Sequence, residues 1–99
     1  MKKINKKNDR ITKEKINKYK ILTSRALNIA RDSIIKGKER EANEIIEMTS
    51  NYLSDAEYFE FNGDLVNAFA ALNYAHGWLD SGVRLGIFKV KDNKLFTIK

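Results

Sequence analysis

This 99-residue sequence predicts an all-α fold: an antiparallel three-helix bundle closed by a short C-terminal extended tail or hairpin. Three observations carry that expectation. Proline is absent, so nothing in the chain interrupts long helices. Apolar residues recur at three- and four-residue steps through most of the length. Glycines stand where those periodic stretches break, at Gly37, Gly63 and Gly86. A chain of this size makes one domain with a modest core. The expected layout is a basic, disordered arm over 1–9, a bundle over 10–86 and an extended tail over 87–99.

The arm, M-K-K-I-N-K-K-N-D, has few apolar groups and much like charge, a composition that cannot offset the entropy of ordering. A first helix is expected over about 10–36. Ile16, Tyr19, Leu22, Ala26, Ile29, Ala30 and Ile34 share one broad face, and Gly37 suits the left-handed position that follows a helix end. A second helix is expected over about 38–62. Glu39, Glu41 and Glu44 favour its positive end. Ala42, Ile45, Thr49, Tyr52, Ala56 and Phe59 form its seam, with Ile46 and Leu53 beside it. Asn62-Gly63 ends this helix and Asp64 can cap the next. Both connections are short, so consecutive helices should run antiparallel.

The third helix, expected over about 64–86, is apolar or small around most of its circumference, and the other elements are read as covering it. At about 100° per residue, Leu65, Ala68, Leu72, Ala75, Leu79, Val83 and Gly86 fall on one stripe, with Phe69 and His76 at its edge. Ala71, Tyr74, Trp78 and Leu85 form a second, and a helix this apolar should touch two neighbours. Gly77 and Gly82 each cost roughly 1 kcal/mol against Ala in a helix interior, which close packing would offset. Beyond Gly86, Ile87–Val90 and Leu95–Ile98 are β-prone runs around a Lys91–Lys94 turn, either a small hairpin or an extended tail.

Composition narrows the chemistry. With no Cys there are no disulfides or thiolate metal sites, and one His makes no zinc site of the usual kind. Asp55, Glu57, Glu60 and Asp64 lack the loop spacing of a calcium site. Ser81 and His76 point about 140° apart on one helix, so they form no Ser–His pair. No catalytic residue, metal or cofactor is assigned. The longest charge-free run, Leu65 to Leu79, is shorter than the ~20 residues of a membrane span, and no signal-peptide core follows the basic start. A cytoplasmic protein is therefore expected.

The formal charge of +6 is unevenly placed, with nine Lys or Arg in residues 1–20 against Asp9 and Glu14. Three functional readings follow. The leading one is a protein-interaction or scaffolding module whose partner is another protein or a second copy. The next is nucleic-acid binding through the arm, with Lys2, Lys3, Lys6, Lys7 and Arg10 as phosphate contacts. The third is a small-molecule site on a strip of the third helix: Asn73, Asp80 and Arg84 on a common face, flanked by His76 and Trp78. That strip is too polar for a core and too poor in Lys and Glu for an ordinary solvated face. It suggests a groove partly covered by the tail or by a second chain. The bland alternative is an Asp80–Arg84 pair on a solvated surface, with His76 hydrogen-bonded to a facing helix.

The run from Ala68 to Gly86, A-F-A-A-L-N-Y-A-H-G-W-L-D-S-G-V-R-L-G, with a near-terminal L-F-T, resembles a family of short archaeal proteins, the domain of unknown function family 357. The preceding Ala56, Phe59, Gly63 and Asp64 fit the same pattern. The resemblance covers about residues 15–98 and implies a three-helix bundle. It implies no activity.

Overall fold

The structure, a computed structural model, describes residues 9–92 and 94–96. The expected arm falls almost wholly outside the described residues, and so do Lys2, Lys3, Lys6 and Lys7. Three helices follow in order: α1 (Lys13–Arg31), α2 (Glu39–Phe61) and α3 (Leu65–Arg84).

Helix α1 starts where the Thr12 hydroxyl accepts the Lys15 N–H at 3.1 Å. It stops at Arg31, five residues before the expected end at 36. The cause is local. The Asp32 and Ser33 N–H groups turn back to the Ile29 and Ala30 carbonyls, and the Ser33 hydroxyl donates to Ile29 O at 2.6 Å. Those bonds satisfy the last carbonyls and release the β-branched pair Ile34-Ile35 into an extended conformation. Ile34 then bridges Phe88 in antiparallel fashion. The Ile35 N–H donates to Ile87 O at 3.0 Å, and the Lys89 N–H to Ser33 O at 2.8 Å. The first β-prone run thus finds its partner in residues 33–35. Thr97 and Ile98 of the second run lie outside the described residues.

Gly37 does take a positive φ of 91°, but in the turn that leads into α2. The α2–α3 connection is a Schellman turn. The Asp64 N–H reaches Phe59 O at 2.8 Å, the Gly63 N–H reaches Glu60 O at 3.0 Å, and Gly63 holds φ at 77°. Asp64 then caps α3 by accepting the Asn67 N–H at 3.1 Å. Gly86 repeats the turn at the far end of α3, with the Ile87 N–H on Gly82 O at 2.8 Å. This second turn folds Ile87 and Phe88 back onto the helices, where both are buried.

Consecutive helices run antiparallel. Lys20, early in α1, pairs with Glu60, late in α2, at 2.9 Å. Tyr52 of α2 stacks on Tyr74 of α3 with ring centroids 5.4 Å apart. Helix α3 is the middle member: it packs most on α2, next on α1, while α1 and α2 touch least. Two apolar clusters result. One joins Ile16, Ala56, Ala68, Ala71 and Leu72. The other joins Ala26, Leu27, Ile45, Leu79, Phe88 and Phe96, among others. Leu72, Ala75 and Leu79 are fully buried and Val83 half-buried, as the helical spacing requires. A Cβ on Gly82 would lie 2.5 Å from the Phe88 ring and 3.0 Å from Ile45 Cδ1. Close packing therefore offsets the helix cost of Gly82.

Candidate functional site

Helix α3 buries one side and keeps the other open. Ala68, Ala71, Leu72, Ala75, Leu79 and Gly82 face inward. The opposite side carries exposed apolar groups: Val66 is 67% exposed, Tyr74 63%, Trp78 37% and Leu85 73%. The expected second apolar stripe therefore divides, with Ala71 inside and Tyr74, Trp78 and Leu85 outside. Two neighbours cover little more than half of a helix circumference. A helix apolar on nearly all sides must leave some of that surface uncovered. This was the signal in the sequence, and Tyr74 and Gly77 are the residues it could have singled out.

Ala70, Asn73, Tyr74, Gly77, Trp78 and Ser81 line an open hollow of about 710 Å³ on this outer side. Gly77 sits in its floor. A Cβ placed there would meet nothing within 4 Å, so packing inside the chain does not offset its helix cost. Tyr74 stacks on half-buried Tyr52, which covers one face of its ring. Among the exposed residues of α3 and its cap, only Arg84 is charged.

A second, smaller hollow of about 320 Å³ lies between α1 and α3 under the tail. Tyr19, Thr23, Asn73, His76, Asp80 and Leu95 contribute to its walls. His76 is half-buried and oriented on both nitrogens. Its Nε2 meets the Leu95 carbonyl, and its Nδ1 lies 3.1 Å from the buried Thr23 hydroxyl. A carbonyl only accepts, so Nε2 carries the proton. In the neutral ring the Thr23 hydroxyl donates to Nδ1. The imidazole thus ties α1, α3 and the tail together. The tail itself is set by Asp92, whose carboxylate accepts the Lys94 and Leu95 N–H groups at 2.8 and 3.1 Å, and by Phe96 in the core.

The strip singled out in the sequence is therefore split between two places. Asn73 borders both hollows, while His76 and Asp80 belong to the covered one and Trp78 to the open one. Arg84 is exposed and lines neither. Arg10 is exposed at the start of the described chain. No group of three or more His, Asp or Glu side chains converges to hold a metal among the described residues. No helix among them is long and apolar enough to cross a membrane.

These features define a small helical protein whose middle helix presents an aromatic surface with little charge. The family described as protein of unknown function (DUF357) matches over residues 10–88, and the chain belongs to that family. No curated protein and no solved structure matches it.

Proposed function

We propose that this chain is a protein-interaction module that binds through the outer side of α3. One observation carries the reading: that side combines exposed Tyr74, Trp78 and Leu85 with small Ala70, Gly77 and Ser81 and almost no charge. Protein interfaces are enriched in aromatic residues and depleted of charge at their centre. A rigid, partly desolvated aromatic is the usual energetic anchor, and Tyr74 is stacked on Tyr52. The open hollow fits a helix or strand laid across it better than a small molecule, which binds in enclosed clefts.

Recovery from native lysate, with and without nuclease, tests the reading. The full chain should retain proteins after nuclease treatment, and Trp78→Glu should lose them while keeping its helix content. Loss of everything on nuclease treatment would instead favour nucleic-acid binding through the basic N-terminal end. That alternative draws on exposed Arg10 before α1 and on Lys13, Lys18, Arg25 and Arg31 along it, and its binding should weaken steeply with salt.

A further inference from the structure

We infer that the occupant of the outer side of α3 is a second copy of the same chain, packed antiparallel with Gly77 at the two-fold axis. The inference rests on the interaction reading and names its partner. Its first ground is charge. The surface from Val66 to Leu85 exposes one charged side chain, Arg84. A partner with several charges finds only Arg84 to pair with there. A neutral helix with small residues and aromatics fits that surface, and α3 is itself such a helix.

The second ground is register. In an antiparallel pair centred on Gly77, positions whose numbers sit equally far before and after it face each other. Asn73 of each copy then meets the partner's Ser81, an amide opposite a hydroxyl, and this pairing occurs twice. Gly77 meets its own counterpart, where the absence of a Cβ lets the helices approach closely. Tyr74 and Trp78 of the two copies gather on one flank of the axis, because a two-fold axis of this kind keeps like flanks together. Leu85 comes over the first turns of the partner's α3.

The third ground is the placement of the basic end. Helix α1 runs parallel to α3, since Tyr19 packs on Phe69 and Thr23 on His76. Arg10, Lys13, Lys15 and Lys18 therefore lie toward the N-terminal end of α3. Antiparallel pairing sends these clusters to opposite ends of the dimer, where their repulsion is smallest.

Sedimentation equilibrium of the full chain from micromolar to millimolar concentration tests this. The weight-average mass should rise toward twice the 11.4 kDa of one chain. Gly77→Gln places a long polar side chain at the axis without a clash inside the chain, and should weaken association roughly tenfold or more at unchanged helix content. The chain has no Cys, so single cysteines report the register cleanly. Asn73→Cys mixed with Ser81→Cys should cross-link under mild oxidant, and neither should cross-link alone. A monomer at every concentration overturns the second copy; the interaction reading survives that result if Trp78→Glu still loses proteins from lysate. A dimer that neither Gly77→Gln nor Trp78→Glu weakens overturns both, because the chain then associates through another surface.

Discussion

Gly77 and Gly82 are five residues apart in one helix, yet they do opposite things. Gly82 is buried under the Phe88 ring, and a methyl group there would lie 2.5 Å from ring carbon. Gly82→Ala should therefore destabilise by about 1–3 kcal/mol, despite its better helix propensity, because Phe88 must move. Gly77 faces open space. Gly77→Ala should stabilise the monomer by up to roughly 1 kcal/mol. Thermal denaturation separates the two, since 1 kcal/mol moves the midpoint by about 4–8 °C in a domain of this size. Opposite signs are the expected result, and two stabilised variants would show that Phe88 yields easily. Thr23→Val keeps shape but removes the hydroxyl that meets His76 Nδ1, and chemical denaturation should register a loss of about 1–3 kcal/mol. Sequence spacing brought His76 to the edge of the buried stripe. It could not name Thr23 or the Leu95 carbonyl as partners, because both lie far away in the chain and polar contacts leave no periodic trace.

At the scale of elements, the seam of α2 was legible almost residue by residue. Ala42, Ile45, Thr49 and Ala56 are buried at the spacing read from the sequence. The caps at Asp64 and Gly63 were equally legible, because they depend on local chemistry alone. The end of α1 was not. Ile34 continues the apolar period of that helix, and only the long-range bridge to Phe88 makes an extended conformation the better use of it. The packing of α3 should respond strongly to one deletion: Leu79→Ala, at a site with no exposure, should cost about 2–5 kcal/mol. A melting temperature unchanged by it would mean that α3 is turned wrongly. The tail is an integral part of the core rather than an appendage, since Phe96 is buried beside Leu79 and Phe88. Phe96→Ala should cost about 3–5 kcal/mol, and near-ultraviolet circular dichroism should report the loosened packing around the ring.

Over the whole molecule, α3 carries two burdens that were legible only together. It is the central stave of the fold, packed on both α1 and α2. It also carries more exposed large apolar side chains than either neighbour. Helical periodicity predicted the first. The second depends on how much of the circumference two neighbours cover, which no single helix encodes. The same limit split the candidate strip. Helical angles placed Asn73, Asp80 and Arg84 on one side, but the tail's path over His76 decides which of them share a cavity. The central claim is that association covers the outer side of α3. Trp78 is the one tryptophan of the chain and stands on that side. Its fluorescence emission, followed as protein concentration rises through the dimerisation range, tests the claim most directly. The emission should move to shorter wavelength in step with the rise in mass, and should stay constant for Gly77→Gln. Emission from the unmodified chain that does not change as the mass doubles would contradict it.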